Sequence, residues 1–418
     1  MIFPRNPTTI PQGRRIDGAA YLYWVGLFIW LILDQFPNPF PTDLAALYYG
    51  ASFVSEGQYD LLYWPVDQAA PAPWTEAAIR DGFQTEPHAF TGPPIRAALA
   101  APLANALSPQ HFFGFFGVLY LVLFCTTLRL THNIMARRTW LTLWTVPMLF
   151  TVPVTVLGTS MLGTGAPITI VFGLIVAGFY FLSANAPRRA GVFWAIATSF
   201  SVFPVLLAAV FIPRRFRGGL RAFLLTIAGI APISLLLVPL EQHTEYFSVL
   251  WRSITTTTLA DTNLNLESFL TRIQFLITGQ PLVGVTVIPD QSWVAGVNLL
   301  AIVTLVLWIA AKARIESVAY LRLRLMPVAV LSIFLLSPVG WASDFTIALC
   351  FLPGLFILTS PRVAVAACLL FIIANLSATQ ALLGPMLYPM LGTCSIVGLI
   401  MLFALVGEHQ PRQPARPH

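Results

Sequence analysis

Runs of about 17 to 24 mostly apolar residues recur along this chain from Ala19 to Val406, each long enough to cross a hydrocarbon core roughly 30 Å thick. A segment inside lipid must satisfy its own backbone, so these runs read as helices rather than isolated strands. Composition agrees: 57% of the 418 residues are hydrophobic and 10% charged, and the mean hydropathy is +0.77, far from the range of soluble globular chains. The expected fold class is an all-α polytopic membrane protein. The first run, Ala19 to Leu33, follows Arg14 and Arg15 and has no small-x-small cleavage pattern, so it reads as a retained anchor. Cys125, Cys350, Cys368 and Cys394 lie inside apolar runs without the paired spacing of a metal site or a disulfide framework.

Charge sets the expected topology. Arg14/Arg15, Arg129/Arg137/Arg138, Arg188/Arg189, Arg214/Arg215/Arg217/Arg221, Lys312/Arg314/Arg322/Arg324 and Arg412/Arg416 mark short basic loops, which belong on the cytoplasmic side. The net charge of +6 is thus topological and gives no reason to invoke nucleic acid. Ten crossings follow, near 19–36, 111–130, 139–157, 166–184, 219–240, 290–311, 325–340, 345–359, 363–379 and 386–407. The segment 190–213 has arginine pairs at both ends, so it reads as a re-entrant helical hairpin bent around Ser199 to Pro204, a form tolerated only against protein or a wet cavity. The organisation expected is a single membrane domain over 1–407, with outer loops 37–93 and 241–289 forming a cap, and a disordered cytoplasmic tail over 408–418. Ile95 to Leu107 reads as a helix at the outer interface, and Gly158 to Gly165 as a flexible turn. The charge asymmetry places the polar loops on the non-cytoplasmic side.

Of seventeen acidic residues, all but Asp17, Glu316 and Glu408 fall on the outer side or its edge. Asp43 stands out in Asn38-Pro-Phe-Pro-Thr-Asp-Leu-Ala-Ala-Leu-Tyr-Tyr-Gly50, a helix start with Thr42 placed to cap it. The dipole and free N–H groups there favour an ionised carboxylate, available as a proton acceptor. With Tyr48 and Tyr49 behind it, this points to chemistry on a lipid-linked substrate presented at the membrane surface. Asp344, in Ser337-Pro-Val-Gly-Trp-Ala-Ser-Asp344, is a second candidate with Trp341 beside it. The pair Asp43 and Asp344 would suit a divalent ion or a shared polar cavity, and no metal or other cofactor is otherwise indicated. Trp64, Trp74, Tyr59, Tyr63, Phe83 and Phe90 among acids suit either a sugar or an interfacial aromatic belt. A phosphate would be met by one of the outer arginines, Arg80, Arg96, Arg252 or Arg272, through their forked donors; Arg272 lies in an amphipathic stretch expected along the interface, where a snorkelling anchor is the plainer role. His243 is a third candidate. Nucleotide-sugar chemistry has no support, because no Asp-x-Asp pair, P-loop or dinucleotide glycine motif is present.

Several of these stretches together resemble glycosyltransferase family 87, the polyprenyl-phosphate-mannose-dependent transferases with the GT-C fold. They are Asp43-Leu-Ala-Ala-Leu-Tyr-Tyr with Gly57-Gln-Tyr59, Pro93-Pro94 with Ala101-Pro-Leu103, Gly163-Thr-Gly-Ala-Pro167, the Gly191 to Arg215 hairpin, and Ser337-Pro-Val-Gly-Trp341. The resemblance implies an inverting transfer in which Asp43 takes the proton of an acceptor hydroxyl as it attacks a sugar carried on a polyprenyl phosphate. The partners implied are that donor, a lipid or glycan acceptor, and the surrounding membrane lipids. Where the family often has a lysine near the hairpin bend this chain has Ser201, so an outer arginine would have to meet the phosphate; where it often has a histidine after the Trp, this chain has Ser343-Asp344. Two other classes fit parts of the pattern: a transporter or flippase of lipid-linked saccharides, which would place its polar residues near the midplane, and a catalytically silent relative acting as an assembly partner.

Overall fold

The structure, a computed structural model, describes residues 12–35, 40–64, 69–84, 87–136, 139–165, 167–280, 286–289 and 291–405. The tail expected over 408–418 lies outside them. In chain order the main helices are α1 (Gln12–Gln35), α2 (Thr42–Ser55), α3 (Ala72–Arg80), α4 (Pro94–Ala106), α5 (Pro109–Met135), α6 (Leu141–Thr151), α7 (Val156–Thr164), α8 (Ile168–Ser183), α9 (Pro187–Phe200), α10 (Arg217–Leu237), α11 (Leu240–Thr255), α12 (Leu266–Thr278) and α13 (Ser292–Ile315). They are followed by α14 (Met326–Leu335), α15 (Pro361–Ala374) and α16 (Ser377–Leu405), the last kinked at Gly384. Among the described residues the architecture is helical apart from one two-stranded sheet, in which β1 (Thr256–Leu259) pairs antiparallel with β2 (Thr286–Pro289) within the segment 241–289.

Among the described residues, five helices are long and apolar enough to cross a membrane: Ile16–Asp34, Pro109–Met135, Arg214–Leu237, Ser292–Ile315 and Ser377–Leu405. The pair α7 and α8, bent by 117°, makes a sixth if it is one broken span. Three other expected crossings coincide with shorter apolar helices, Leu141–Val154, Ala342–Leu358 and Pro361–Ala374. α14 is short and buried at every residue, so it is solvated by protein, and lipid thickness does not set its length. α10 and α13 show the opposite pattern, with exposed Leu225, Leu236, Leu299 and Leu300, as expected of apolar faces turned to lipid. The chain is a multi-pass membrane protein.

Glycines set the closest helix approaches. A Cβ on Gly178 of α8 would fall 2.1 Å from Trp194 Nε1 of α9, and that indole donates to the Ile175 carbonyl at 3.0 Å. A Cβ on Gly191 would fall 2.2 Å from the Gly219 carbonyl oxygen, and one on Gly219 would fall 2.8 Å from the Pro187 carbonyl. The starts of α9 and α10 therefore touch, and the chain between them goes out and returns. The reversal follows α9, where Ser201 is extended (φ −155, ψ 128) before a 3₁₀ segment over Phe203–Phe211. Basic residues gather at this end: Arg215 donates to the Ala313 carbonyl at 2.9 Å and to that of Glu316, next to Lys312 and Arg314 in the last turn of α13. Such cations also favour a helix C-terminus.

The described parts of 37–93 form helices rather than one polar loop. From Leu44 to Val54 every residue of α2 except Ser52 is buried, and of the aromatic residues that suit a sugar or an interfacial belt, Trp64, Trp74, Tyr63, Phe83 and Phe90 are buried and pack on other rings. Trp74 is fully buried, 4.3 Å from Trp64 and 5.2 Å from Phe53 between ring centroids. The expected helix near Ile95 to Leu107 is α4, which begins at a proline, a favoured first position, and packs along α2. The Gly158 to Gly165 run is not a flexible turn: it forms α7, capped by Thr155, whose hydroxyl accepts from Gly158 N–H, and ended by Gly165 at φ +70.

Candidate active site

Asp43 sits in the first turn of α2. Pro41 occupies the N-cap and no side chain among the described residues caps the helix, so Thr42 does not play the capping part expected of it. α7 ends against this turn: a Cβ on Gly165 would lie 2.7 Å from Leu44 and 3.0 Å from Pro41. Only a glycine in the left-handed conformation lets α7 end so close, and it sets Thr164 beside Asp43. Part of Asp43 still reaches solvent, yet the protein packed around it raises its pKa by desolvation. His88, the Thr164 hydroxyl and Arg96 each oppose that rise. The acid is therefore a stronger base than the helix dipole alone would leave it.

Asp344 lies within electrostatic range of Asp43. Desolvation raises its pKa, the Trp341 N–H lowers it and the Asp43 charge raises it again. Its Oδ2 accepts from the Trp341 N–H at 3.0 Å, which caps the short turn Ala342–Phe345. Backbone bonds hold this turn in place: Ala342 N–H to the Thr262 carbonyl at 2.7 Å, and Leu264 N–H to the Gly340 carbonyl at 2.8 Å. Thr346 Oγ1 donates to the Leu157 carbonyl of α7 at 2.6 Å. Trp341 keeps 37% of its surface exposed.

Arg96, in the first turn of α4, lies with its guanidinium 6.0 Å from the centroid of Phe90. A Cβ on Gly92 would fall 2.9 Å from a guanidinium nitrogen, so this glycine makes room for the arginine. Tyr63 donates to the Gly92 carbonyl at 2.7 Å, and its ring is 6.1 Å from that of Tyr246. Both tyrosines lie within electrostatic range of Arg96.

The structure thus brings together Asp43, Asp344 and Arg96 of the sequence candidates. Tyr48 and Tyr49 are buried behind Asp43: Tyr48 donates to the Leu107 carbonyl at 3.4 Å and Tyr49 to Asp81 at 3.2 Å. The His243 ring is held between Ser234 Oγ at 2.9 Å and the Pro239 carbonyl at 3.1 Å, joining α11 to α10. Arg272 is fully buried rather than snorkelling, donating to Ser268 and the Ala260 carbonyl; burial lowers its pKa to about 10 despite Asp261. His88, Thr164 and Tyr120 were not singled out in the sequence. Thr164 lies inside the quoted Gly163 to Pro167 motif, whereas Tyr120 sits in an apolar run and reads there as a core aromatic.

The model of glycosyltransferase family 87 matches residues 90–338. The matched stretch contains Arg96, Tyr120 and Thr164 and ends six residues before Asp344, while Asp43 and His88 precede it. No curated protein matches the chain. Since residues 90–338 are more than half of the sequence, the chain belongs to glycosyltransferase family 87.

Proposed function

We propose that this membrane glycosyltransferase moves a sugar, mannose, from a polyprenyl-phosphate donor to a hydroxyl of a lipid or glycan acceptor, with inversion and with Asp43 as general base. The observation that carries the reading is a desolvated carboxylate, Asp43, at the start of α2 within electrostatic range of the Arg96 cation and the Asp344 turn. In the step proposed, the acceptor oxygen attacks the anomeric carbon from the face opposite the phosphate and gives its proton to Asp43. The bond from carbon to phosphate oxygen breaks, and its electron pair leaves with the lipid phosphate.

A GT-C fold with ten crossings agrees with the short apolar helices outside the five long spans. α1 carries Asp17, which accepts from the Leu141 N–H at 2.7 Å, near its basic end, and Asp34 near the other. Asp43 follows a few residues later. This supports an outer, periplasmic site in a bacterial inner membrane.

Membranes containing the chain are expected to transfer label from polyprenyl-phosphate mannose and not from a nucleotide-linked mannose; the reverse preference would discard the donor assignment. The pH dependence has a definite sign. A base works only when ionised, so kcat/KM rises with pH through the Asp43 pKa. Arg96 lowers that pKa, so Arg96→Gln is expected to move the acid limb of the kcat/KM profile to higher pH. A limb that stays in place or moves down would separate Arg96 from the base.

A further inference from the structure

Tyr120, midway along α5, is 4% exposed, and its hydroxyl has no hydrogen-bond partner among the described residues. Buried hydroxyls are almost always bonded, so an unpaired one indicates a missing ligand atom or a water. Its ring is fixed against Phe116 at 5.6 Å between centroids, and it lies within electrostatic range of both Asp43 and Arg96. Among the described residues Arg96 forms no ion pair, and the Phe90 face and the Gly92 notch hold its guanidinium in place.

The other outer arginines are less suited. Arg80 is 74% exposed and pairs with Asp81 at 3.8 Å. The Arg272 donors are directed to Ser268 and Ala260, and Arg252 lies in the last turn of the amphipathic α11.

We propose that Tyr120 and Arg96 together form the anion subsite that takes the donor's phosphate, the tyrosine hydroxyl and the guanidinium each donating to a phosphate oxygen. The inference rests on the polyprenyl-phosphate reading of the donor. It supplies the cation that Ser201 does not. As the bond between the anomeric carbon and the phosphate oxygen breaks, the electron pair goes to the phosphate, and these two donors meet the charge. Asp43, on the acceptor side, receives the hydroxyl proton. A rigid aromatic hydroxyl adds direction to a charge that a guanidinium alone would hold less selectively.

The test is equilibrium binding to the purified full chain of three probes: a radiolabelled polyprenyl phosphate, the matching polyprenol and inorganic phosphate. Tyr120→Phe keeps the ring and removes only the hydroxyl; Arg96→Gln is the companion variant, and thermal unfolding of each checks the fold. The parent should bind the polyprenyl phosphate more tightly than the polyprenol. Each variant should weaken the phosphate probe roughly tenfold or more, the scale of a lost hydrogen bond to a charged group, and leave the polyprenol unchanged. Undiminished binding by Tyr120→Phe, with the parent still preferring the phosphate, would overturn the subsite and leave the donor reading standing. Equal binding of phosphate and polyprenol by the parent would overturn both. Competition by inorganic phosphate at matching concentrations would assign the subsite to a soluble phosphate source and overturn the lipid assignment.

Discussion

Asp43→Asn is expected to reduce sugar transfer by about a hundredfold to ten-thousandfold, the range general acid–base catalysis supplies, in membranes where the variant accumulates to the parental level. The substitution keeps the side chain's shape at the start of α2 and removes its charge and its capacity to take a proton. Stability should change little, because two effects oppose each other. A carboxylate in the first turn gains roughly 0.3–1 kcal/mol from the helix dipole, while the same carboxylate is disfavoured by the desolvation that raises its pKa. Radiolabelled transfer from polyprenyl-phosphate mannose, normalised to protein level, is the measurement. Equal transfer by both chains would remove Asp43 from the mechanism. Transfer lost together with the folded protein would make Asp43 a structural residue, and thermal unfolding of the solubilised variant separates that result from a catalytic one.

The sequence made Asp43 legible because it is an acid at a helix start with two tyrosines behind it, and α1 and α2 form where the apolar and Ala-rich patterns place them. Asp344 was legible for a similar reason, since Pro338 and Trp341 break the apolar pattern around it. The rest of the candidate site depends on contacts between elements distant in sequence. Thr164 reaches Asp43 only because Gly165 lets α7 end against Pro41 and Leu44. Tyr120 becomes a polar candidate only once its hydroxyl is seen to lack a partner inside the fold. Aromatic residues misled in the other direction. Trp64, Trp74 and Phe83 have the composition of a sugar-binding surface, yet all three are buried, because a cluster of short helices needs its own core. Arg272 shows the same limit: its amphipathic helix suggested an interfacial anchor, while the fold turns that face inward.

Gly191→Ala should destabilise the protein by about 3 kcal/mol or more, at or above the upper end for overpacking, although it adds a single methyl group. That methyl would lie 2.2 Å from the carbonyl oxygen of Gly219 and 3.1 Å from the Phe223 nitrogen. These are backbone atoms, so no rotamer change relieves the clash, and α9 and α10 must separate by roughly an ångström, a shift that close-packed interiors resist. The separation would pull on Trp194, which is fully buried and lies 4.9 Å from Phe211, and on the bond from its indole to the Ile175 carbonyl. Gly229→Ala is the matched control: it lies in α10 with nothing within 4 Å of its Cβ position, and alanine is favoured over glycine in a helix by up to about 1 kcal/mol. Heating the detergent-solubilised proteins and following the monodisperse fraction should give a lower Tm for Gly191→Ala and an unchanged or higher one for Gly229→Ala. Equal behaviour of the two would mean that the starts of α9 and α10 do not meet, and the out-and-back path between Arg188 and Arg215 would lose its support. The contrast therefore tests the topology as well as the packing, because a single straight crossing over 190–213 would place Gly191 and Gly219 at opposite ends of the bundle, where a methyl group at either would meet nothing of the other.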